Sequence, residues 1–189
     1  QRPMLFNSLE FAVFFIIVYG LYLVLPHRGQ NTLLLVASFI FYGVWDWRFL
    51  SLVILTILIG YFCGIKIDAA KDIKAKKLFL SLNVIFSLTI LGFFKYFNFF
   101  LSNLLALMKS FGLPVEFHAL NIILPMGISF YTFKTLSYPI DIYRGKMNPT
   151  RNLCDFALFV SFFPQLIAGP IQRAKDLLPQ ISLPRKIHW

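Results

Sequence analysis

The sequence predicts an all-α polytopic membrane protein, with tilted transmembrane helices and broken or re-entrant elements towards its C-terminal side. Three observations carry this expectation. Hydrophobic residues make up 58% of the 189 positions and charged residues only 14%, against roughly 25% charged in ordinary soluble domains. The 23 phenylalanines are spread over several separate apolar runs, so no single signal-like segment explains the excess. The basic residues, which bring the net charge to +10, collect in short connections between those runs, as they do in cytoplasmic loops. That clustering makes the lipid bilayer the expected surroundings and argues against nucleic acid as a partner.

The first run, Leu5 to Leu25, is about twenty residues, enough to cross the hydrocarbon layer. It lacks a basic leader and a small-residue cleavage site, so it reads as a retained helix. Gln1-Arg2-Pro3 ahead of Met4 reads as the remnant of an expression tag. Pro26-His27-Arg28-Gly29 is expected to form a connection and Asn31 to cap the next helix, because a short polar side chain accepts from a free N–H at a helix start. The apolar piece from Leu33 to Gly43 is short for a perpendicular span, and Trp45-Asp46-Trp47-Arg48 has the character of a headgroup-level turn before a second run, Phe49 to Ile65. A tight helical hairpin is predicted.

From Lys66 to Lys77 the chain places five lysines in twelve residues, offset by two aspartates, Asp68 and Asp72. This is the strongest cytoplasmic-loop signal in the sequence, and counting back three crossings puts the N-terminus outside. Such a loop can also grip anionic lipid from the same side. Leu78 to Phe94 spans easily; Phe99 to Met108 either continues one long tilted helix or lies at the interface. Lys109 to His118, with its Gly and Pro, is expected to be an outer loop.

The stretch Leu124 to Arg173 mixes Ser, Thr, Gln, Asn, Gly and Pro with aromatics. Helices broken inside a membrane bundle tolerate that mixture, since the freed backbone groups find partners within the protein. Breaks are expected at Pro125 and Gly127, ahead of a helix from Ile128 to Ile140, and at Pro164 and Pro170, on either side of the irregular patch Ile167 to Ile171. Pro164 is expected to end a helix running from Leu153 to Phe163, with the Gln165 amide directed into protein or water. Lys134 falls near membrane depth, where an ammonium snorkels, pairs or faces a wet cavity. Asp141 and Arg144 stand three apart and are expected to form a local ion pair. Beyond Lys175 and Asp176, Pro179 and Pro184 are expected to prevent a long regular element.

The three histidines, His27, His118 and His188, are scattered, and no metal-ligand spacing, phosphate loop or nucleophile elbow occurs. Cys63 and Cys154 read as small buried hydrophobes. The residues alone describe a membrane protein with a semi-polar, broken centre, compatible with an intramembrane enzyme or with a transporter or channel.

Several ordered motifs go further. Met4 to Ser8 (MLFNS), Leu33 to Tyr42 (LLLVASFIFY), Gly92 to Tyr96 (GFFKY), Leu124 to Thr132 (LPMGISFYT), Leu136 to Gly145 (LSYPIDIYRG) and Phe159 to Arg173 (FVSFFPQLIAGPIQR) closely resemble the N-terminal half of membrane-bound O-acyltransferases, nearest the bacterial polysaccharide O-acetyltransferases. The resemblance covers Met4 to Gln180 and implies residues 4–189 to be the N-terminal portion of one integral membrane acyltransferase domain, part of a funnel of tilted helices. It further implies a bacterial inner-membrane location and transfer of an acyl group, most simply acetyl, from a cytoplasmic thioester such as acetyl-CoA or an acyl carrier. The acceptor it implies is the hydroxyls of an exported polysaccharide, in some relatives through a periplasmic acetyltransferase partner. No tightly bound cofactor is implied. Teichoic-acid D-alanyl transferases share parts of this architecture and remain an alternative.

The family's catalytic histidine has no counterpart at His27, His118 or His188. The chain is therefore expected to be inactive alone, the histidine acting as general base in a longer protein. Lys134, Tyr138, Gln165, Gly169 and Arg173 are the candidates for lining the cavity or donor channel, with Arg173 or Lys175 meeting an anionic donor at the cytoplasmic mouth.

Overall fold

A computed structural model of the chain describes residues 8–111, 123–170 and 172–185. The tag reading at residues 1–3, most of the MLFNS motif, His118 and His188 lie outside these residues. Every regular element among the described residues is helical: α1 (Leu9–Val24), α2 (His27–Ala69), α3 (Ile73–Ser110), α4 (Ile128–Tyr143), α5 (Leu153–Ser161), α6 (Phe163–Ala168) and α7 (Ala174–Ser182). Of these, α2 and α3 are long and apolar enough to cross a membrane.

α1 starts where the Ser8 hydroxyl accepts the Phe11 N–H and runs to Val24. The expected connection Pro26–Gly29 shrinks almost to nothing. Pro26 is itself the cap of α2, and His27, Arg28 and Gly29 are already helical, because a proline's missing N–H costs nothing at a helix start. Asn31 therefore does not cap. It sits one turn inside α2 with its side chain buried.

The hairpin forms inside α2. Asp46 has extended backbone angles (φ −161°, ψ 106°) between helical halves. Straight, a helix of 43 residues would hold positions 31 and 61 about 45 Å apart. Yet Asn31 donates to Asp155 while the Tyr61 ring lies 5.9 Å from that of Phe156, the next residue. The halves must fold back side by side. Arg48 closes on the turn, its guanidinium donating twice to the Asp46 carboxylate, with the shorter bond at 2.7 Å. Trp45 stacks at a tilt between Tyr42 and Phe49.

Only Ala70, Lys71 and Asp72 separate α2 from α3, so most of the lysine-rich stretch consists of helix ends; the Asp72 carboxylate caps α3 by accepting the Lys74 N–H. α3 is one continuous helix of 38 residues, about 57 Å long by its rise. It runs on through Lys109 and Ser110, which the sequence assigned to a loop. Its inner part packs through a polar stripe, Asn83 and Ser87, and its far part exposes Phe99, Phe100 and Phe111.

α4 crosses the core. On one side Gly60 and Gly64, a turn apart on α2, let it approach so closely that a Cβ on either would collide with Thr135 or Tyr138; small residues at this spacing are how membrane helices bring their backbones together. α4 begins at Gly127 in the left-handed region (φ 71°), where an added Cβ would lie 3.1 Å from Leu166 Cγ and 3.2 Å from its carbonyl oxygen. Gly145 also has positive φ but open space around it. Both Gly→Ala changes should cost about 1–2 kcal/mol through the backbone, and Gly127→Ala more because it also pushes on α6. Thermal midpoints of the detergent-solubilised protein check this; equal losses would mean that Leu166 simply gives way.

The expected helix Leu153–Phe163 ends earlier, at Ser161, and the break falls on Phe162 (φ −51°, ψ 107°). Pro164 does not terminate it. It stands in the first turn of the short α6, where proline is preorganised for helix. The segment after Lys175 also departs from expectation: it lies in α7, which buries Ala174, Leu177, Leu178 and Ile181 on one face despite Pro179.

The basic connections meet at one end of the bundle. His27 contacts Ser182, Tyr61 donates to the Arg151 carbonyl, and the Tyr138 hydroxyl accepts from Thr150. The helix ends and turns bearing Arg28, Lys66, Lys71, Arg144 and Lys146 belong to this end. Tyr42 donating to Met126, and Phe49 against Phe94, mark the opposite end.

Candidate functional site

Breaking a helix orphans carbonyls on one side and N–H groups on the other. At Phe162 two side chains from different helices answer them. Lys134 of α4 donates at 2.6 Å to the Phe159 carbonyl in the last turn of α5. Ser38 of α2 accepts the Phe163 N–H at the first turn of α6, at 3.2 Å. An ammonium is well placed at a helix C-terminus, where the partial charge is negative.

Lys134 is wholly buried. It neither snorkels nor finds a carboxylate among the described residues. Its Nζ donates a second bond to Gln165 Oε1 at 2.8 Å and lies 4.8 Å and 5.1 Å from the ring centres of Phe159 and Phe130. Ring faces carry negative charge and compensate part of the lost hydration. Gln165 passes the chain on, its amide donating to Gln172 Oε1 at 2.8 Å. The result is a polar thread, Lys134 to Gln165 to Gln172, across the irregular region; of the two directions open to the Gln165 amide, protein or water, it takes protein.

The other predicted residues fall elsewhere. Tyr138 is fully buried, its ring 4.4 Å from that of Phe156, so it packs α4 against α2 and α5. Gly169 ends α6, its N–H bonding back to Gln165 O, and Pro170 follows it exposed. Arg173 is exposed at the start of α7, and Lys175 pairs loosely with Asp176 at 3.9 Å on the surface. Pro125 accepts the Ile128 N–H through its carbonyl, closing the turn that Gly127 completes. The expected Asp141–Arg144 pair does not form: Arg144 is exposed beyond the helix end, while Asp141 is buried with Oδ2 lacking a hydrogen-bond partner. Arg144 is the cap that closes α4, and its side chain is exposed while that of Asp141 is buried in the core.

Known proteins resemble this chain over most of its length. The "Probable alginate O-acetylase AlgI" of Pseudomonas putida is 48% identical, over 95% of this chain and 37% of its own. The protein of the same name from Azotobacter vinelandii is 44% identical, over 95% and 36%. A "Peptidoglycan O-acetyltransferase" of Helicobacter pylori also matches, at 35% identity over 95% of this chain and 39% of its own. The chain spans less than two fifths of the length of these relatives. No family model matches it, and no solved structure does.

A second polar cluster escaped the sequence reading. Asn31 donates to Asp155 Oδ1 and to the Ile181 carbonyl, both at 2.9 Å, and accepts from Arg185 Nη2 at 2.9 Å. Asn31, Asp155 and Arg185 are distant in sequence and stand beside ordinary capping or loop residues. Only α5 packing on α2, with α7 packed on α5, brings them together. Among the described residues, no group of three His, Cys, Asp or Glu side chains gathers to hold a metal ion.

Proposed function

We propose that this chain forms the N-terminal wall of a membrane-bound O-acyltransferase that moves an acetyl group from a cytoplasmic thioester to hydroxyls of an exported polysaccharide. The observation that carries this reading is the similarity, over 95% of the chain, to relatives named for O-acetylation of alginate and of peptidoglycan. Both names specify acetyl transfer, which favours an acetyl over a D-alanyl donor group. The general base, a histidine in this reading, comes from the remainder of a longer protein, and a periplasmic partner completes transfer to the polymer.

The basic end of the bundle is the cytoplasmic side in this reading, which leaves the N-terminus outside. Arg173 and Lys175 then stand at the donor's mouth, where a coenzyme or carrier phosphate needs cations. Lys134, Gln165 and Gly169 border the passage, and Tyr138 holds α4 in place from behind.

The test is transfer from radiolabelled acetyl thioester in membranes containing the longer protein, with this 189-residue chain beside it. The longer protein should label polysaccharide. Arg173→Gln should raise the KM for donor by roughly fivefold, about 1 kcal/mol for a rim charge, with kcat little changed. Gln165→Leu should lower kcat. Labelling by the shorter chain alone would place the catalytic residues within it and sink the division of labour proposed.

A further inference from the structure

A trough of about 280 Å³ opens between α1, the first half of α2, the α5–α6 break and α7. Most of its lining is apolar: Phe15, Val18, Leu34, Leu158, Phe162 and Phe163 are among the residues that form it. Polar side chains enter from Tyr22, Gln180 and Arg185. The guanidinium is held in place. Nη2 donates to Asn31 Oδ1 at 2.9 Å and Nη1 to the Tyr22 hydroxyl at 3.3 Å, while Cζ stands 5.7 Å from the centre of the Tyr22 ring.

Asn31, only 3% exposed, is itself fixed by Asp155 and the Ile181 carbonyl, and Ser182 donates to Asp155 Oδ2 at 3.3 Å. Asp155 thus spends its charge on neutral donors and makes no direct bond to Arg185 among the described residues. The two bonds from Arg185 occupy two of a guanidinium's five N–H donors. This is a preoriented cation at the edge of an apolar slot.

Its position says what fits. Arg185 lies beside Tyr22 and Asn31, at the end of the bundle where the basic connections meet, the level of a lipid headgroup. The slot runs from there along α1, whose outer residues Leu9, Ile16, Ile17 and Val24 are exposed apolar side chains suited to lipid. A molecule with one anionic head and a long apolar tail satisfies both ends at once. We propose that the trough binds one acyl chain of an anionic membrane phospholipid, with its phosphate on Arg185. The proposal needs the membrane setting only and is independent of the acyl-transfer reading.

The probe is an equimolar mixture of phosphatidylglycerol and phosphatidylcholine offered to the longer protein in neutral detergent, with retained lipid read by native mass spectrometry. The protein should retain phosphatidylglycerol over phosphatidylcholine by roughly fivefold, about 1 kcal/mol for one basic residue at the surface. Arg185→Gln should abolish that preference, and Lys109→Gln, at the opposite end, should leave it intact. Val18→Trp, or Gln180→Trp at the exposed rim if the former does not fold, should exclude both lipids. An undiminished preference in Arg185→Gln overturns the proposal. So does a wild-type protein that retains neither lipid, since the rest of the longer chain would then fill the trough.

Discussion

Replacing Lys134 with methionine is expected to destabilise the bundle by about 2 kcal/mol or more and to lower acyl transfer in the longer protein at least roughly tenfold. Methionine keeps the length and apolar stem of lysine, so packing against Phe130 and Phe159 changes little. What is lost is the donor. The Phe159 carbonyl lies in the last turn of α5, and the Phe162 break denies it a helical partner: the N–H of Phe163 goes to Ser38 instead. Gln165 Oε1 loses its bond at the same time. Each buried acceptor left unsatisfied costs about 1–3 kcal/mol. Relief from burying an ammonium works the other way, which is why the expected loss stays below the sum.

Phe133→Leu is the comparison. It is the neighbouring residue on the exposed side of α4, and it should change neither quantity measurably. Gln165→Leu should fall between the two, because Phe159 keeps its partner. Thermal unfolding of the solubilised protein and acetyl transfer in membranes measure the two effects separately. A Lys134→Met protein as stable as the parent would show that the ammonium contributes nothing net to the break.

The second large effect uses one chemical change at four places. Gly60→Ala and Gly64→Ala should lower the thermal midpoint, and the double change should leave little folded protein. Gly20→Ala and Gly92→Ala should raise it slightly. All four glycines lie inside helices, where alanine gains about 0.5–1 kcal/mol over glycine. At Gly20 and Gly92 an added Cβ meets nothing within 4 Å, so only that gain remains.

At Gly60 the new methyl collides with Thr135 Cγ2 and lies 3.3 Å from Phe156 Cζ. At Gly64 it collides with the Tyr138 ring and lies 3.0 Å from Ile142 Cδ1. Tyr138 cannot swing aside easily, being packed on Phe156 and accepting from the Thr150 N–H. Overpacking of this kind costs about 1–3 kcal/mol per site, and α4 carries Lys134, so the damage reaches the polar thread. Fluorescence-detected size exclusion after a heating series reads all variants alike. Four changes of the same sign would refute close α2–α4 packing as the reason for these glycines.

Composition and the chemistry of Trp45 to Arg48 were enough to predict helices and the fold-back there, because apolar length and interfacial chemistry are properties of contiguous residues. The breaks at Gly127 and near Pro164 were legible for the same local reason. What the sequence could not assign was the partner of each polar side chain. Asn31 looks like a cap and is an internal strut, Asp141 and Arg144 look like a pair and part at the helix end, and Pro164 looks like a terminator and starts a helix. Lys134 could equally have reached for water. Each of these choices turns on which helix comes to lie alongside, and that depends on Gly60 and Gly64 admitting α4, on α5 packing against α2, and on α7 packing against α5. A buried polar group takes the donor or acceptor that tertiary packing brings within 3 Å or so, and no spacing along the chain encodes that neighbour.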